Sequence, residues 1–354
     1  MLLRRLFSRT RTIDLRSDTV TLPLPQMKLV MTEASLGDDV YQEDPTINAL
    51  QTRVATLFNK EAALFVPSGT MANLISVLSY CGPGDQVLLG DLSHVLYYEQ
   101  GGISAVGGVM PRAVRNRADG GLDLAHLEEQ VMPDKVHFPR SKLVLLENTH
   151  NNCGGTVLPL EHVAEVSAFC KPRGLKLHVD GARIMNAYVY LKKQQPDLLP
   201  SDLVKNVDSL SLCFSKGLSC PVGSVVIGSK DFIEKAHRWR KCVGGAMRQG
   251  GVLAAPALVA LDMAERLLSA DHENAQIFAE GLRELHCAVS PVQTNIVNFA
   301  PKIGTCAEIV RRLKEKNVLL SPKVGEREIR AVTNSTVSKA DIFDALEILK
   351  TTLD

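Results

Sequence analysis

No two cysteines of this sequence are spaced as Cys-x-x-Cys; the eight lie scattered at positions 81, 153, 170, 213, 220, 242, 287 and 306. Disulfide frameworks belong to short secreted chains, so in a chain of 354 residues these read as reduced thiols of an intracellular protein. The nine histidines form neither a His-Glu-x-x-His pair nor a His-rich tract, so no metal site is expected. Neither sign of charge prevails, with 40 Lys plus Arg against 39 Asp plus Glu. A balanced chain has no field pulling it toward nucleic acid or a membrane surface. The longest apolar run, around "GVLAAPALVAL", stops at Asp262 and is too short to span a bilayer. No repeat or low-complexity tract is visible. The partner left by these exclusions is a small molecule or a second copy of the chain.

Hydrophobic residues make up 45% and charged residues 22%, an ordinary globular balance. The length suits one large or two ordinary domains, at roughly 100–200 residues each. The first dozen residues differ: "MLLRRLFSRTRT" carries Arg4, Arg5, Arg9 and Arg11 and no acid. That is transit-peptide composition, and it also suits a short basic tail, so both a cytoplasmic and a mitochondrial location stay open.

Short apolar runs alternate with helical patterns through the middle of the chain. "AALFVPSG", "DQVLLGD", "SKLVLLENTHN", "LKLHVDGAR", "DSLSLCFSKG" and "GSVVIGS" read as strands. "TMANLISVLSYCG" and "LEHVAEVSAFCKPRG" between them read as helices, the second closed by Gly174. Such alternation predicts an α/β fold with a mostly parallel sheet covered by helices. Ligands then sit beyond the carboxyl ends of the strands, which points at Ser68–Thr70, Asp180–Arg183 and Lys216. After Gly251 a long helical stretch leads into "TNIVNFAP", "CAEIVRRLKEKN", "EIRAVTN" and "KADIFDALEILKTTL", a smaller α/β unit. The expected division is a basic extension over 1–11, a large domain over 12–250 and a small domain over 251–354.

Lys216 stands out because it follows an apolar strand, "SLCF", and precedes a turn of small residues. Lysines are almost never buried unless paired. The ordinary reading is an ammonium that snorkels to the surface. The other is a lysine with lowered pKa, whose neutral amine forms a Schiff base. Asp180, 36 residues earlier, is either a helix N-cap or the carboxylate that keeps a pyridoxal ring nitrogen protonated. Arg183 follows on the same turn, with a planar fork suited to a carboxylate or a phenolic oxygen. "PSGTMAN" offers Ser68, Gly69 and Thr70 at a helix start, either a plain cap or a phosphate site. His94 follows a strand, placed to stack on a flat ring or to handle protons. His137 precedes a strand, where a surface histidine is the ordinary reading. Their order is what a pyridoxal phosphate site on an α/β sheet requires.

The stretches "IDLRSDTVT", "GDDVYQEDPT", "PSGTMAN", "ENTHN", "HVDGARI", "SKGLSCPVGS" and "RKCVGGAMRQ" occur in order. From about Ile13 onward the chain resembles the low-specificity L-threonine aldolases, pyridoxal 5'-phosphate lyases of the aspartate-aminotransferase fold. The resemblance implies retro-aldol cleavage of L-threonine or L-allo-threonine to glycine and acetaldehyde. It makes Lys216 the Schiff-base lysine, Asp180 the partner of the ring nitrogen and His94 the stacking residue. Ser68, Gly69 and Thr70 would lie against the phosphate. Ser17, Arg183 and Arg330 would orient the substrate carboxylate or the ring oxygen, and His137 would lie near the substrate hydroxyl. Either His94 or His137 is the expected base. Tyr41 and Lys241 would reach in from a neighbouring subunit of a homotetramer built from dimers. Two other readings stand beside this one: a serine hydroxymethyltransferase-like enzyme or aminotransferase on the same fold, and a non-catalytic scaffold. "RAVTN" replaces a common Arg-Leu-Val-Thr-His, "GLSCPVG" a common Gly-Leu-Gly-Ala-Pro-Val-Gly, and "GGAMRQ" a common triple glycine.

Overall fold

The computed structural model describes residues 12–323, 325 and 327–353; the basic extension over 1–11 lies outside them. Seven strands form the central sheet: β1 Ala62–Val66, β2 Gln86–Gly90, β3 Met110–Val114, β4 Ser141–Glu147, β5 Lys176–Asp180, β6 Ser209–Cys213 and β7 Ser224–Gly228. Their spatial order is β1-β7-β6-β5-β4-β2-β3. β7 runs antiparallel to both neighbours and the other pairings are parallel. β1 to β6 therefore point the same way, and their carboxyl ends share one edge.

Covered on both faces, the inner strands read as unbroken apolar runs; β2, β6 and β7 are buried along their whole length. This is why six strands were legible. The seventh, β3, was not, because "MPRAV" is a largely exposed edge strand with proline and arginine where a central strand has apolar side chains. The helices of nine or more residues in this part are α1 Pro25–Glu33, α2 Pro45–Leu57, α3 Gly69–Tyr80, α4 Leu160–Cys170, α5 Ile184–Lys192, α6 Lys230–Cys242 and α7 Gly251–Glu284. α3 starts on Ser68, whose hydroxyl accepts the Met71 N–H, a regular N-cap.

The C-terminal part is an antiparallel sheet of four strands: β8 Ala288–Val289, β9 Ile296–Ala300, β10 Ser321–Pro322 and β11 Ile329–Val332, in the order β10-β11-β9-β8. Helices α8 Cys306–Glu315 and α9 Lys339–Leu353 accompany it. The cores do not divide at Gly251. The first half of α7 gives Ala254, Ala257, Ala260, Ala264 and Leu268 to the large core, and its second half gives Ala275, Phe278, Ala279 and Leu282 to the small one. Ile13 and Leu15, grouped by the sequence with residues 12–250, pack in the small core. Ile13–Asp14 pairs in parallel with Val318–Leu319, and that long-range pairing is invisible to a reading along the chain.

Candidate active site

The shared strand edge gathers the chemistry. Lys216 lies three residues beyond the end of β6, in a bend rather than in the strand, and is half-buried. Its backbone carbonyl accepts the Thr21 hydroxyl at 2.9 Å, which ties the loop to the N-terminal arm. Its amine makes no hydrogen bond or ion pair among the described residues. Lys216 lines a cleft of about 360 Å³ with Ser17, His94, Asn151, Arg183 and Arg330.

The two arginines differ in their partners. Arg183 is buried, and its fork donates from Nε and Nη2 to the two oxygens of Asp18, each at 2.7 Å. Burial pushes the Asp18 carboxyl up, but the charge and hydrogen bonds of Arg183, with Lys216 and Arg330 nearby, outweigh it and hold Asp18 well below the carboxylate range. Arg330, on β11, donates to Asn151 Oδ1 at 2.8 Å and to the Arg16 carbonyl at 3.1 Å, and has no carboxylate partner among the described residues. Burial and the nearby Arg183 charge lower its pKa to about 10, so it stays a cation at neutral pH. Among the described residues Arg330 thus faces the cleft without a carboxylate in direct contact, the Asp18 charge acting on it from farther off.

His94 opens a single helical turn after β2. Its backbone N–H donates to Glu147 Oε2 at 2.7 Å, and its Nδ1 lies 2.9 Å from Glu99 Oε1. Burial lowers the imidazole pKa, but the Glu99 hydrogen bond and the Asp180 charge outweigh it and leave His94 above the ordinary histidine value. Asp180 ends β5, buried, with Oδ1 accepting the Ala182 N–H at 3.0 Å and Oδ2 accepting from Asn73 Nδ2 at 2.8 Å. It does not cap α5, whose N-cap is Arg183. Gly181 lets this turn pass β6: a Cβ there would stand 2.4 Å from the Ser211 carbonyl oxygen.

Ser68, Gly69 and Thr70 do not line the cleft. They sit at the N-terminus of α3, where first-turn N–H groups have no intrahelical partner. A Cβ at Gly69 would lie 2.6 Å from Cys213 Sγ, so glycine is needed for α3 to start this close to β6.

His137 is exposed on the loop before β4, at the opposite end of the strand whose Glu147 enters the site. Within one chain it does not meet His94. Tyr41 and Lys241 also lie outside the cleft and are exposed. Their neighbours Asp39 and Arg240 form a buried ion pair at 2.6 Å, so Tyr41 and Lys241 are presented by one piece of surface.

Asp18, Asn73, Glu99, Glu147 and Asn151 escaped the sequence reading as site residues. Four of them stand in the stretches "IDLRSDTVT", "PSGTMAN" and "ENTHN", so proximity to a motif was the available signal. Glu99 had none, being five residues past His94 on a loop.

A mostly parallel sheet carrying a lysine one strand over from a buried aspartate is the architecture of pyridoxal phosphate enzymes of the aspartate-aminotransferase fold, and this is the class of the protein. The family model of the beta-eliminating lyases matches residues 14–302. The chain is 47% identical over 342 residues to a probable low-specificity L-threonine aldolase 2 of Arabidopsis thaliana, covering 94% of each. It is 42% identical over 332 residues to the low specificity L-threonine aldolase of Escherichia coli strain K12, covering 94% of this chain and 96% of that one. A Leishmania major threonine aldolase structure superposes with a TM-score of 0.82 at 21% identity, over 97% of this chain and 100% of that one, a likeness of fold. The chain belongs to the low-specificity L-threonine aldolases, and it is a lyase.

Proposed function

We propose that this cleft cleaves L-threonine and L-allo-threonine to glycine and acetaldehyde, with Lys216 as the residue that holds pyridoxal phosphate. The observation that carries the reading is the meeting, in one cleft, of an unpartnered lysine amine and an unpaired arginine, Arg330. The described residues fit the cofactor. The amine is free to be linked, the N-terminus of α3 offers Gly69 and Thr70 N–H groups to a phosphate, and Asp180 is a buried anion for a ring nitrogen.

When bound, the cofactor supplies the electron sink for the pair released as Cα–Cβ breaks. Around it, Arg330 and Ser17 hold the substrate carboxylate. Arg183 adds its charge to the same corner, but its fork is committed to Asp18. His94 presents Nε2 to the cleft and takes the β-hydroxyl proton, a role suited to an imidazole whose basicity the Glu99 hydrogen bond and the Asp180 charge raise. His137, Tyr41 and Lys241 serve a neighbouring copy's cleft in a tetramer with shared sites; their exposure and the joint presentation of Tyr41 and Lys241 support this.

The experiment is product analysis of purified, cofactor-loaded protein on both threonine epimers. Glycine with acetaldehyde supports the reading; a keto acid would assign an aminotransferase instead. Protein that takes up no cofactor and turns over neither epimer overturns the reading. Lys216→Ala must lose the visible absorbance of the linked cofactor.

A further inference from the structure

Asn73 sits at the end of "PSGTMAN", and neither the phosphate role of that motif nor the cleft lining uses it. It is buried on α3, and its amide touches three groups. Nδ2 donates to Glu99 Oε1 at 2.8 Å and to Asp180 Oδ2 at 2.8 Å. Oδ1 accepts from Ser211 Oγ at 3.1 Å. The inventory of donors fixes this orientation: ionised carboxylates only accept, so the amide NH2 must face both, and the hydroxyl is the group that can donate to the carbonyl.

Glu99 and Asp180 are both buried, and their ligand atoms lie with that of His94 within 4.8 Å of one another. Two carboxylates this close normally share a proton, because like charges in a poorly solvated place do not both ionise. A neutral amide giving one N–H to each offsets part of that repulsion and points the two groups apart, although burial and the Asp180 charge still push the Glu99 carboxyl up. One is then left for the ring-nitrogen side, and the other accepts from His94.

We infer that Asn73 and Glu99 are positioning residues that hold His94 as its Nδ1–H tautomer, Nε2 toward the cleft, while keeping Asp180 a separate carboxylate. The chain runs His94–Glu99–Asn73–Asp180, with Ser211 fixing the amide. It rests on the functional reading above for what Nε2 and Asp180 then do, but the hydrogen-bond pattern stands without the cofactor. The charged groups facing His94 are Glu99, Asp180 and Lys216, with Glu147 on its backbone N–H and the Tyr98 ring 5.2 Å away. A carboxylate behind an imidazole sets which nitrogen carries the proton, as in other carboxylate–histidine pairs.

The test is nitrogen-15 NMR of ring-labelled histidine, first on cofactor-free protein. His94 in the native chain is expected as Nδ1–H. Glu99→Gln keeps an acceptor oxygen, so it retains the tautomer while His94 titrates at lower pH. Glu99→Ala and Asn73→Ala lose the Nδ1–H preference. On the loaded enzyme these two alanine variants lower turnover on L-threonine roughly tenfold or more, with KM nearly unchanged and the pH profile displaced. Folding is checked by circular dichroism, and the isosteric Glu99→Gln keeps the test alive if an alanine variant fails to fold. A Glu99→Ala protein that keeps Nδ1–H on His94, or an unmoved pH profile in both alanine variants, overturns the inference. Because the tautomer is read without cofactor, failure of cofactor binding would sink the functional reading and leave this one standing.

Discussion

Asp18 and Arg183 form a two-pronged ion pair, 2.7 Å at each contact, between a turn near the N-terminus and the end of β5. Both partners are buried, and Asn295 Nδ2 adds a third bond to Asp18 at 3.1 Å. One carboxylate thus joins the arm, the large sheet and the small domain at the edge of the cleft. Removing it leaves a buried guanidinium without a counter-charge, a loss of about 3–5 kcal/mol. Asp18→Asn is expected to lower the urea midpoint accordingly. An unchanged midpoint would show that the pair contributes nothing net.

The pH dependence follows from the same pair. Asp18 is held below the carboxylate range when folded, while in the unfolded chain it titrates near its ordinary value of about 3.9. Its stabilisation is therefore fully present above about 3.9 and is lost as pH falls below it toward the folded value. Stability measured from about pH 6 down to about pH 2 should fall more steeply in the native protein than in Asp18→Asn.

Arg330 and Arg183 should separate in kinetics. Among the described residues Arg330 has no carboxylate partner, so Arg330→Lys loses the planar fork and raises KM for threonine roughly 10- to 100-fold, the size of a lost charged hydrogen bond. Arg183→Lys breaks the Asp18 pair and should appear first as lost stability. Steady-state kinetics beside thermal melts would check this; a stable Arg183→Lys protein with the larger KM effect reverses the assignment.

Ser219 explains one departure from the family pattern. Its φ of +60° is left-handed, where glycine is the easy choice, and the common family sequence has glycine there. Serine costs about 1–2 kcal/mol in that conformation, and its hydroxyl meets the Ser335 hydroxyl at 2.6 Å, worth about 1 kcal/mol. The two nearly cancel. Ser335→Ala should cost about 1 kcal/mol in the native background and almost nothing beside Ser219→Gly. Equal costs in both backgrounds would dismiss the bond. The neighbouring Cys220 is buried, its thiol pushed up to about 12 by burial, so it is inert toward the lysine loop.

Shared active sites are testable by mixing. Lys216→Ala lacks the lysine proposed to hold the cofactor, and Tyr41→Ala lacks a surface residue expected at a neighbour's cleft. Co-refolded, these two poorly active variants should regain threonine cleavage, because some clefts then draw Lys216 from a Tyr41→Ala copy and Tyr41 from a Lys216→Ala copy. No recovery, with mixed oligomers present by native mass spectrometry, would confine each site to one chain.

The sequence by itself determined six of the seven central strands and the motif positions, because these are local. Buried parallel strands announce themselves as apolar runs, and "PSGTMAN", "HVDGAR" and "SKGLSCPVG" stand at the carboxyl ends of three of them. Lys216, Asp180 and Ser68–Thr70 were legible for that reason, since parallel strands bring their carboxyl ends to one edge. Partners were decided by the tertiary structure alone. Asp18 finds Arg183 across 165 residues, and Asn73 finds Asp180 across 107. Nothing along the chain distinguishes the Arg330 fork, free of a carboxylate, from the Arg183 fork that has one. Nor does it separate His94, backed by Glu99, from His137 at the far end of β4. Charge and protonation depend on what stands within a few ångströms, and that is fixed only when distant segments are brought into the same low-dielectric space.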